Sequence, residues 1–107
     1  MKRKSEASMC LEAALVDIFG ACQAEFNFCP DRKFRADFAV PMERLLVELE
    51  GMGQGHLSIK SYIKDMGKYN LAAVLGWAVL RFTTREALNG KAKETLIAWK
   101  VAHAGKH

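Results

Sequence analysis

Residues 34–50 read FRADFAV-PME-RLLVELE, two apolar-rich runs split by Pro41, Met42 and Glu43. Each run has the length and alternation of a strand, Lys33 to Val40 and Arg44 to Glu50, and the interruption is short enough for a hairpin. Successive strand residues face opposite sides, so Phe34, Ala36, Phe38 and Val40 are expected on one face and Arg35, Asp37 and Ala39 on the other. In the second run Leu45, Val47 and Leu49 share a face, leaving Leu46, Glu48 and Glu50 opposite. Pairing the strands with their large apolar residues together brings Asp37, Glu48 and Glu50 to one patch.

Working outward, Ala24 to Cys29 alternates Phe26 and Phe28 with polar neighbours and ends in the turn residues Pro30 and Asp31, which predicts a strand before the hairpin. From Ser5 to Gly20 the residues Met9, Leu11, Ala14, Leu15, Ile18 and Phe19 recur at helical spacing, with Ser5 or Ser8 as cap and Gly20 as stop. Downstream, three glycines between Gly51 and Gly55 predict a loop. Ser58 to Leu75 is again helical, with Ile59, Tyr62, Ile63, Met66, Tyr69, Leu71, Ala72, Ala73 and Leu75 on a broad apolar side. Trp77 to Phe82 is an almost unbroken apolar strand of the kind buried on both faces, and Thr83 or Thr84 caps a last helical region broken at Asn89 and Gly90. The order α-β-β-β-α-β-α predicts an α/β fold: a small mixed sheet flanked by helices, in a single domain over residues 1–107.

Half the residues are hydrophobic and a quarter charged, which excludes a disordered, collagenous or membrane-spanning chain. With no signal-peptide pattern, the cytoplasm is the expected compartment, and no membrane partner is expected. Cys10, Cys22 and Cys29 match neither a C-x-x-C pair nor a zinc knuckle, so reduced thiols are expected. The net charge of +4 mildly favours a polyanionic partner, although Lys2, Arg3, Lys4, Lys100 and Lys106 have the ordinary alternative of solvated tails.

Like charges at i and i+2 on a strand face repel, and a third beside them raises at least one carboxyl pKa unless a cation intervenes. Mg²⁺ suits such a patch, because two carboxylates, waters and a substrate phosphate make a normal octahedral set. The competing reading is a solvated sheet face that happens to be acidic.

The string Phe34-Arg-Ala-Asp37-Phe-Ala-Val-Pro41, then Leu45-Leu-Val-Glu48-Leu-Glu50-Gly51, then His56, then Lys68-Tyr-Asn and Gly76-Trp77-x-Val79-Leu80-Arg81-Phe82 resembles small phage nucleases of the PD-(D/E)XK superfamily. In outline it is also similar to very-short-patch repair endonucleases. The likeness runs from about Glu12 to Arg85. It implies a restriction-endonuclease-like αβββαβ core and a DNA endonuclease using Mg²⁺ or Mn²⁺, leaving 3′-hydroxyl and 5′-phosphate ends. Asp37 takes the place of the motif's first acid and Glu48 of its second, with the main-chain carbonyl of Leu49 as a further metal ligand. The motif's Lys is replaced by Glu50, which could bind a second ion or the first ion's water. Lys68 is the first candidate for the missing base, followed by Lys60 and His56.

Glu12 stands where relatives add an acid from the first helix. The ordinary alternatives are a solvated loop residue for His56 and a solvent-facing helical residue for Glu12. Arg32, Lys33, Arg35, Lys60, Lys64 and Lys68 are the expected phosphate contacts on DNA. The expected substrate is branched, nicked or replication-derived DNA in phage or repair, or alternatively a mismatch, with a homodimer possible and host cytoplasm as the site of action if phage-encoded. The rival from another class is a nuclease-fold module that binds DNA without cutting it.

Overall fold

The computed structural model describes residues 4–51 and 59–105. Helix α1 spans Glu6–Phe19; the Ser5 hydroxyl accepts the Ser8 N–H at 3.1 Å, and Gly20, at φ 90°, returns its N–H to the Val16 carbonyl. Both ends are therefore closed by short-range chemistry. Ala7, Leu11 and Leu15, four apart, form the buried stripe.

Three strands follow, β1 Gln23–Cys29, β2 Phe34–Val40 and β3 Leu45–Glu50, and they pair as the expected antiparallel meander. The two corners are built alike, each a single 3-10 turn opened by a proline (Pro30–Arg32 and Pro41–Glu43) and closed by a non-glycine residue at φ 54°, Lys33 or Arg44. Arg44 is held there: its guanidinium donates to the Leu75 carbonyl and lies 4.2 Å over the Trp77 ring, while its carbonyl accepts the Ala78 N–H. Helix α2, Ile59–Val74, then crosses over to β4, Ala78–Thr83, which runs parallel to β3 in the sheet order β1-β2-β3-β4. Thr83 and Glu86 form a capping box that starts α3, Thr84–Leu88, and Gly90 separates it from α4, Lys91–Ala102. The mixed α/β architecture expected from the sequence is present.

The sheet is covered on both faces. One face packs Phe38, Val40, Leu45, Val47 and Phe82 against α1, α3 and α4. The other gathers Leu46, Ala39 and Ala36 with Phe28, Trp77 and Ala72 of α2.

Three expectations need correction. First, β2 does not alternate uniformly: Phe34 and Ala36 join one cluster, Phe38 and Val40 the other, so the alternation inverts at Asp37. Opposite it, Glu25 of β1 takes a positive φ of 50° and interrupts the regular pairs on either side, Ala24 with Phe38 and Phe26 with Ala36. Second, β4 is an edge strand with only Phe82 fully buried, not a strand enclosed on both faces. Third, the apolar side of α2 is largely not its packing side: Ile59, Tyr62, Ile63 and Met66 are exposed, and the helix meets the sheet through Lys68, Tyr69 and Ala72.

Leu45 lies wholly buried where β3 meets β2 and β4. Truncating it in Leu45→Ala should cost about 2–5 kcal/mol, read as a lowered midpoint in urea unfolding.

Candidate catalytic carboxylate cluster

The β2–β3 ladder runs regularly from Val40–Leu45 to Phe38–Val47 and stops before Asp37 and Glu48. There the side chains replace it. The Asp37 N–H donates to Glu48 Oε2 at 2.9 Å, and the Leu49 N–H donates to Asp37 Oδ2 at 2.7 Å. Each acid thus accepts a backbone N–H from the facing strand, in hydrogen bonds strengthened by the carboxylate charge.

Glu48 is the buried polar residue of the described core, at 7% exposure. Its Oε1 accepts from Lys68 Nζ at 2.9 Å and from the Tyr69 hydroxyl at 3.1 Å, both on α2. The same hydroxyl reaches Glu50 Oε2 at 3.4 Å, and Arg81 Nε of β4 reaches that oxygen at 3.2 Å. The Arg81 guanidinium lies 4.5 Å over the Tyr69 ring. Parity explains the grouping: Glu48 pairs in parallel register with Arg81, Leu46 with Val79, and all four side chains face α2.

Asp37 sits in the gap between the strands. Together with Lys4, Ser8, Glu25 and Leu49 it also lines a cleft of about 240 Å³ on the α1 side of the sheet. Burial pushes its carboxyl above the usual Asp range, the Leu49 N–H opposes this, and repulsion from Glu48 adds to it. Burial, and then the charges of Glu48 and Glu50, push the Tyr69 phenol up as well.

Of the residues singled out from the sequence, Asp37, Glu48, Glu50 and Lys68 come together, but not as three carboxylates around one point. Among the described residues no three His, Cys, Asp or Glu side chains form a metal-binding group. Glu50 is turned to Tyr69 and Arg81, and the face carrying Glu48 is covered by α2 rather than open to solvent. Asp37, exposed on β2, keeps one carboxylate oxygen without a hydrogen-bond donor among the described residues.

Glu12 is taken up by Lys4 at 2.8 Å. Lys60 and Lys64 are exposed on α2, Arg32 lies 5.2 Å over the Phe34 ring, Lys33 ends the first corner, and Arg35 pairs with Glu25 at 3.2 Å in an exposed contact. His56 lies outside the described residues. Sequence reading placed Tyr69 on an apolar helical side and Arg81 in the strand motif, but assigned neither a site role. Their signals were a tyrosine adjacent to Lys68 and the lone charge in the WAVLRF run. The three cysteines are free and partly buried.

Comparison with models of known families, with curated proteins and with solved structures finds no match. No helix among the described residues is long and apolar enough to cross a membrane.

Two outcomes follow from the hydrogen bonding. Glu48→Ala strands the Asp37 N–H and the Lys68 ammonium and should lower stability by about 3–5 kcal/mol. Lys68→Met should cost less, because Glu48 keeps the Asp37 N–H and Tyr69 hydroxyl; paired urea titrations compare them.

A third outcome concerns pH. A raised Asp37 pKa means that the native state holds its proton more tightly than the unfolded chain, so stability falls as pH rises from the ordinary Asp range through Asp37's own. Asp37→Asn keeps an acceptor for the Leu49 N–H and removes that penalty. In chelator-treated protein its melting temperature should exceed wild type at pH 7, with the gap closing as pH falls below the Asp range; an unchanged gap would count against the assignment.

Proposed function

We propose that this protein is a divalent-metal-dependent endonuclease that hydrolyses DNA phosphodiester bonds at the Asp37–Glu48 cluster. The observation that carries the reading is the exposed Asp37 carboxylate, one oxygen of which has no donor among the described residues, next to the buried Glu48–Lys68 ion pair. Desolvation and the charge of Glu48 both push the Asp37 carboxyl up, against the Leu49 N–H and Lys68, and a bound cation would relieve this. Costly clusters of perturbed charge are characteristic of functional sites.

Asp37 and Glu48, with the Leu49 carbonyl, are the groups that would hold the ion. When bound, Mg²⁺ polarises a phosphoryl oxygen and lowers the pKa of water. The chain's own part is positioning. The paired N–H contacts fix the two carboxylates to the backbone rather than to flexible neighbours. Lys68, tied to Glu48 and only partly exposed, supplies an ammonium for the charge that grows on the phosphoryl oxygens. It stands for the Lys that position 50 lacks. Lys60, Lys64, Arg32 and Lys33 can bind the backbone of the strand without reading its sequence, and Arg35 can exchange its weak surface contact with Glu25 for a phosphate. Branched, nicked or replication-derived DNA is the favoured substrate, with a mismatch second.

One observation favours the rival, a DNA-binding module without catalysis: both Glu48 oxygens already have donors from the chain itself. Incubation with branched, nicked, mismatched and linear DNA plus Mg²⁺ separates the two. Cleavage should require metal, vanish in Asp37→Ala and Glu48→Ala, and fall by about 10²–10³ in Lys68→Ala. Binding with no cleavage of any substrate would leave the module.

A further inference from the structure

We propose that the exposed apolar strip of α2 is a contact between two copies of this chain, which pack their α2 helices antiparallel about Met66 and Gly67. The proposal needs neither a metal nor cleavage, so it stands apart from the reading above. Ile59, Tyr62, Ile63, Met66 and Val74 are between 49% and 80% exposed. Their spacing gathers them on the side of α2 turned away from Lys68, Tyr69 and Ala72, which meet the sheet. Gly67 lies in the middle of the same helix. Glycine weakens a helix interior, and a side chain at this position would meet nothing within 4 Å, so the chain's own packing does not call for it. Close approach of a second backbone does.

A second copy suits the strip because α2 matches its own reverse. With the two-fold axis at Met66 and Gly67, Ile59 of each copy comes level with Val74 of the other, and Ile63 with Asn70. Lys60 and Lys64 then come level with Ala73 and Tyr69, so no two lysines stand directly opposite each other. Asp65 is seven residues before Ala72 and shares its sheet-facing side, which leaves the strip itself uncharged. Side chains of this size expose on the order of 500 Å² per copy, so a pair buries roughly 1,000 Å², where specific interfaces begin. Such a dimer dissociates on dilution. Its contact is apolar with lysines along one edge, so added salt should not weaken it.

Sedimentation equilibrium of the full chain over a range of concentrations tests this. The wild type should pass from monomer to dimer, equally well at high salt, and Ile63→Lys should weaken the dimer by about tenfold or more. Ile63 is exposed, so the variant should keep the wild-type urea midpoint; Ile59→Lys is a second variant to the same end. Orientation is read by mild oxidation against the wild type as baseline. Met66→Cys should give a disulfide-linked dimer, whereas Ile59→Cys, whose counterpart lies at the far end of the pair, should not. Cross-linking through Ile59→Cys would overturn the antiparallel arrangement. A dimer that Ile63→Lys and Ile59→Lys leave intact would overturn the role of α2. A wild type that stays monomeric throughout would overturn the proposal, and if it also sediments with phosphatidylserine vesicles, the strip belongs to a lipid surface instead.

Discussion

Where the β2–β3 ladder ends, two carboxylates finish it. The N–H groups of Asp37 and Leu49 find side-chain oxygens in place of facing carbonyls, so the strands part without leaving donors unpaired. Everything else at the site follows from that substitution. Glu48 is buried because its oxygens are needed at the strand edge, and its burial requires the cation and hydroxyl that α2 brings. Asp37 is held between the two faces because its oxygen must reach the Leu49 N–H.

The fold was legible because its signals are local. Ser5 and Gly20 bound α1, Pro30 and Pro41 open the corners, and Asn89 and Gly90 break the last helical region, each through backbone chemistry that a short window contains. Strand parity also located Glu48 and Glu50 on one face correctly. It failed at Asp37, since the inversion there coincides with a left-handed residue, Glu25, on the neighbouring strand, and no glycine or asparagine announces it. The helix α2 misled for a different reason. Its hydrophobic stripe is real, but the helix meets the sheet through Lys68, Tyr69 and Ala72 instead.

Of the site, the acids and Lys68 were readable as residues, but the turning of Glu50 to Tyr69 and Arg81 was not. The partnership of Tyr69 and Arg81 was not readable, since it depends on the pairing of β4 beside β3 and on which side of α2 faces inward. Each of those is a long-range choice, fixed by packing against Leu46, Ala72 and Trp77 rather than by the residues themselves.

The parallel β3–β4 pair also constrains the route by which the chain folds. The β1–β2 and β2–β3 hairpins join residues close in sequence and can zip from their corners, whereas Leu45 meets Ala78 only after the whole of α2 has been traversed. Closing that longer excursion carries an entropic cost that local pairing does not. Lys68, Tyr69 and Arg81 all belong to this later segment, so the acids of β2 and β3 precede their counter-charges along the chain.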